Sequence, residues 1–247
     1  MKTKKLTARE RRQARLSTPL TAQAIGLDPE LYANALRYLF DRPVPKEGEQ
    51  EWYWNSDEPE FEATPLEWTR IQTLMFANAG TDLTPYSNQQ VGMGLNHVMS
   101  NNAGDIPHMA NDPSVPLADA MRMMEAFPSL WRDCIGPRLD AAEAQGDEDS
   151  VKRLDFVCYM WFDVWPTFWS SKDIAEWRDA LWHVFCEMLD MPCREVQQSA
   201  LHGVGHDGRY LERQAAIDQR IERFIAEKNS DTELVNYARA AARGMVQ

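Results

Sequence analysis

Almost nothing in the 247-residue sequence reads as a β-strand. No run alternates apolar and polar residues between glycine-rich turns, which sets aside sandwiches, barrels and doubly wound sheets. A P-loop, a dinucleotide-binding glycine turn and a GxSxG elbow are missing too, so the commonest phosphate, hydride and acyl-transfer mechanisms have no footing. The four cysteines, Cys134, Cys158, Cys186 and Cys193, form no CxxC pair. That excludes a zinc ribbon and predicts reduced, buried thiols in a cytoplasmic protein. No apolar run reaches membrane-spanning length; the nearest, residues 157–169, contains Asp163 and Pro166. The amino terminus lacks the apolar region of a secretory signal.

Acidic residues are plentiful: 38 Asp and Glu oppose 26 Lys and Arg, for a net charge of -12. Such a surface repels nucleic acid and anionic membranes and attracts basic partners. Residues 2–15 are the exception, with Lys2, Lys4, Lys5, Arg9, Arg11, Arg12 and Arg15 against Glu10. They predict a flexible basic arm over 1–20, where alone nucleic acid could be met, ahead of one all-α domain over 21–247.

Helix signals recur through that domain. Asp28-Pro29 pairs a capping residue with the proline favoured in a first turn. Thr64 with Glu67, Ser87 with Gln90, and Ser230 with Glu233 read as capping boxes. Gly80 is expected to stop the helix that begins at Pro65, and Pro128 to start a new short helix. Residues 43–63 and 101–115 read as long loops, and 140–149 as a polar turn. The expected fold is all-α, an irregular array of about ten short helices. Residues 33–41, ANALRYLFD, also align without gaps to 92–100, GMGLNHVMS, matching Leu36 to Leu95, Leu39 to Val98 and Phe40 to Met99. A degenerate helical repeat leaves such an echo.

Residues 173–206 hold a helix, a Met191-Pro192 turn and then REVQQSALHGVGH. Val196, Ala200 and Gly203 share one side of the second helix, where small residues admit a close neighbour. This segment resembles one HEAT-like α-helical repeat. The resemblance implies a helical hairpin near the carboxyl terminus and, in a stack of such hairpins, second helices lining a concave binding surface.

Three groups of residues could carry function. On the second helix of that hairpin, Glu195, His202 and His206 fall on one stripe, a carboxylate and two imidazoles that suit zinc in a metal-dependent hydrolase. HxxxH without an internal glutamate is not the metalloprotease motif, however, and Gly203 and Gly205 weaken the helix there. His183 is expected to be partly buried. Trp161, Trp165 and Trp169 recur at helical spacing, either as core or as a cage for a cationic small molecule, given Asp163. In the loop at 47–62, Trp52 and Trp54 stand among Asp57, Glu58, Glu60 and Glu62, a pattern in which aromatics anchor an interface and acids steer a basic partner. The sequence therefore favours a non-catalytic protein-binding protein without a cofactor. One form is a bacterial-type antidote or immunity protein that masks a basic toxic enzyme.

Overall fold

Asp28 caps the first long helix as its sequence predicts: its Oδ1 accepts from the Glu30 N–H at 2.8 Å, and Pro29 follows in the first turn. The computed structural model describes residues 19–46, 48–55, 57, 59–228 and 230–246. Residues 1–18 of the basic arm, and Glu58 of the acidic loop, lie outside that set. The protein is all-α, with no strand among the described residues. The helices are α1 (Pro29–Phe40), α2 (Pro65–Ala77), α3 (Ala79–Asp82), α4 (Asn88–Met99), α5 (Leu117–Leu130) and α6 (Gly136–Gln145). They continue with α7 (Glu148–Val164), α8 (Pro166–Ser171), α9 (Ala175–Leu189), α10 (Arg194–Asp207), α11 (Gln214–Glu227) and α12 (Thr232–Ala241).

Neighbours form two rows. In one, α1 packs on α4, α4 on α7, α7 on α10 and α10 on α12. In the other, α2 packs on α5 and α5 on α9, and the α9–α10 hairpin joins the rows. Between them lies an aromatic core. Phe127 of α5 stacks on Trp165 and meets Phe76 of α2 and Trp161 of α7, while Trp131 stacks on Phe162. Close approach is possible where side chains are absent. A Cβ on Gly92 of α4 would lie 2.6 Å from the Leu154 nitrogen of α7. One on Gly203 of α10 would lie 2.4 Å from the Phe185 ring of α9, as the small-residue side of the hairpin predicts.

Several boundaries differ from expectation. The capping boxes at Thr64 and Ser87 form. The last helix is instead capped by Asp231, whose Oδ1 accepts from the Leu234 N–H at 2.9 Å, while Glu233 turns to Arg194. Pro128 does not start a helix. It sits inside α5, which runs on through a π-helical turn at Trp131–Ile135 into α6. Proline lacks the N–H that would close a normal turn, and the wider turn after it keeps the chain helical. The polar stretch expected as a turn at 140–149 is mostly helix. Its turn is confined to Gly146, at φ 66°, and Asp147. Gly80 lies in α3; α2 ends earlier, with Asn78 as its C-cap and Asn78 Nδ2 donating to the Leu20 carbonyl.

Candidate functional site: an aromatic cavity beneath an acidic loop

The chain between α1 and α2 is too rich in proline and acids to be helical, but it is not loose. Trp52–Trp54 form a single 3₁₀ turn, and Trp52 tucks in against α1 and α4. Its ring meets Tyr38 edge-on at 4.8 Å and His97 at 4.7 Å. The Arg42 guanidinium lies over it at 4.3 Å. Tyr53 stacks on His97 at 5.2 Å, and its Oη accepts from Asn96 Nδ2 at 2.8 Å. Glu51 pairs with Arg153 of α7, tying the start of the turn to a third helix. Trp52 thus pins the loop, whereas Trp54 stays 45% exposed.

Beneath this turn is a cavity of about 720 Å³. Its aromatic walls are Tyr38, Trp52, Tyr53, Phe61 and Trp68, with His97 among them. Glu60, Glu62, Glu67 and Asp105 line it too, and among the described residues no lysine or arginine does. Glu60, Glu62 and Asp105 are exposed, so carboxylates meet solvent while rings form the interior. Glu67 is held by its capping box, whose hydrogen bonds from Thr64 lower its pKa. His97 is buried and its Nδ1 has no hydrogen-bond partner. Burial, with Arg42 adding to it, pushes its pKa down to about 4, so the ring is neutral at physiological pH. Burial raises Tyr53 to about 12.

Of the residues expected to touch a partner, Trp52, Glu60 and Glu62 line this cavity. Trp54 lines another, of about 450 Å³, with Lys152, Arg153 and the half-exposed Phe156. Asp57 is exposed in the turn between. The sequence reading missed Tyr38, Phe61 and His97. Tyr38 and His97 hold equivalent places in the gapless alignment of 33–41 with 92–100, but an alignment does not bring two rings together; they lie 6.1 Å apart because α1 packs on α4.

The proposed metal stripe does not assemble. His202 lies seven positions beyond Glu195, which at 1.5 Å per residue puts them about 10 Å apart along the helix however well their angles agree. Glu195 accepts instead from the Cys193 thiol at 3.3 Å. Asp140, Cys193 and Glu195 are the set of three possible metal ligands that converges, within 4.8 Å, among the described residues. Burial, with the carboxylates beside it, drives the Cys193 thiol well up.

His202 is fully enclosed, its Nδ1 pairing with Tyr237 Oη at 2.7 Å and its Nε2 without a partner. Tyr237 Oη in turn meets Tyr159 Oη at 2.8 Å. Burial, then the charge of His206, lowers His202 to about 4. His206 Nδ1 lies 3.7 Å from Asp163. Burial, then the nearby Asp163 charge, raises Asp207 to about 8. These groups tie α7, α10 and α12 together. His183 is exposed rather than partly buried and lies 4.0 Å from Glu187.

The tryptophan stripe is core. Trp161 and Trp165 are buried, and Pro166 breaks the helix so that Trp169 leaves their line and packs on Tyr210. All four cysteines are free thiols, with Cys186 half-buried and the others buried. Among the described residues no helix is long and apolar enough to cross a membrane. Comparison with known proteins found no matching family model, no matching characterised protein and no matching solved structure.

Proposed function

We propose that this is a non-catalytic binding protein for a basic protein, engaged through the face around residues 49–62. One observation carries the reading: a cavity with aromatic walls and four carboxylates, and no basic residue lining it among the described residues. Rings supply area that a partner side chain can bury, and desolvated aromatic pockets are where interface energy concentrates. Carboxylates at the solvent edge select for positive charge and raise the rate of encounter. A chain with net charge -12 adds a long-range field of the same sign.

The immunity-protein form of the reading makes the partner a basic toxic enzyme. Likeness of the α9–α10 hairpin to a HEAT repeat fits a scaffold role. The reading is tested by co-expressing the chain with the product of the adjacent gene and with a panel of basic and acidic proteins. A basic protein that co-purifies in fixed stoichiometry, and is released by the charge-reversing pair E60K/E62K, is the expected result. Partners that are acidic, or binding indifferent to that pair, would sink it. The metal-dependent hydrolase is left without a ligand set at Glu195, His202 and His206, and the small-molecule cage without accessible rings at Trp161 and Trp165.

A further inference from the structure

We infer that the cavity beneath residues 49–62 receives an arginine side chain of the partner, a deepening that rests on the binding function proposed above. Three observations converge on a guanidinium. The first is that the chain already uses these rings for one: Arg42 lies 4.3 Å over Trp52 and 4.9 Å over Tyr38, yet does not line the cavity. A planar, weakly hydrated guanidinium stacks on aromatic rings more readily than a compact ammonium.

The second is the distribution of acceptors. Glu60 and Glu62 of the loop, Glu67 of α2 and Asp105 after α4 bring carboxylates from three segments to one cavity. A guanidinium presents five donors in a fixed fork and can serve more than one carboxylate at once, which an ammonium does as a point charge only. The third is His97, 6% exposed, which lines the cavity with its Nδ1 buried and unpartnered. A buried polar atom left unpaired is costly, and a donor entering the cavity relieves it. A quaternary ammonium would stack but has no N–H to give. Trp52 Nε1 is likewise unpartnered and needs an acceptor. A peptide carbonyl beside the arginine supplies one, and a free guanidinium ion does not.

The experiment titrates the full chain, followed by NMR of its indole N–H signals, with two capped pentapeptides, Gly-Gly-Arg-Gly-Gly and Gly-Gly-Lys-Gly-Gly. Concentrations on the order of 10 mM expose even millimolar binding. The arginine peptide is expected to bind at least about tenfold more tightly than the lysine peptide and to shift the Trp52 indole. The double variant E60Q/E62Q, both sites being exposed, is expected to weaken it severalfold with the fold intact. Equal affinity for the two peptides overturns the arginine assignment and leaves the basic-partner reading standing. No shift with either peptide overturns the assignment as well. The basic-partner reading falls with it only if basic proteins also ignore E60K/E62K. Binding that appears only after Arg9, Arg11, Arg12 and Arg15 are changed to lysine gives the cavity to the chain's own amino-terminal arginines and overturns the assignment to a partner.

Discussion

Three buried side chains make the protein's stability depend on pH in opposing directions. His97 and His202 are both held near a pKa of about 4. In the unfolded chain each takes a proton near its ordinary value of about 6.5, so acidification through that window favours unfolding. Asp207 runs the other way. Its native carboxyl keeps a proton up to about 8, whereas the unfolded one releases it near its ordinary value of about 4. Raising the pH from about 4 to about 8 therefore erodes the stability that the buried neutral acid contributes. Above pH 6.5 the histidines' contribution fades, vanishing about a unit higher, and from there Asp207 alone of the three still acts. Urea denaturation of the wild type is expected to show stability falling between pH 6.5 and 8. D207N, which imitates the neutral acid, should show that decline reduced or absent. Parallel curves for the two proteins would contradict the assignment.

At the level of elements, the caps show how local chemistry decides where helices begin. Asp231, not Ser230, accepts the Leu234 N–H. D231A is therefore expected to cost about 1 kcal/mol in thermal or urea denaturation, and S230A close to nothing. The ion pair from Arg194 Nε to Asp231 at 3.0 Å is partly exposed and adds little to that figure. Helix existence was legible in the sequence almost throughout, because apolar spacing and capping residues are local signals. The α9–α10 hairpin and the Gly203 contact were legible for the same reason. What escaped was long-range. Nothing local says that Pro128 will be absorbed by a π-helical turn, or that Pro166 will divide the tryptophan stripe. The metal stripe failed because angular agreement on a helix ignores axial rise. Of the residues expected to touch a partner, Trp52, Glu60 and Glu62 line the cavity; most of its other walls were not read from the sequence. Tyr38 and His97 come from helices far apart in sequence and meet only when α1 packs on α4.

For the molecule as a whole, charge is the property most open to measurement. With carboxylates lining the cavity and a net charge of -12, association with a basic partner should weaken steadily as salt rises. Screening shortens the reach of the field to about 10 Å at 0.1 M salt. Stopped-flow measurements are expected to place most of the loss in the association rate, with dissociation, governed by the buried rings, changing less. A dissociation rate that carries the whole salt effect would move the key charges from the rim into the buried contact. The 3₁₀ turn at Trp52–Trp54 has a consequence of its own. Tyr53 lines both the aromatic cavity and the neighbouring one that holds Trp54 and Phe156. One side chain is thus a party wall between two rooms, and whatever leans on it from one side changes the shape of the other. Occupants of the two cavities are thermodynamically linked wherever they displace that wall, and by reciprocity each sets the other's affinity by the same factor.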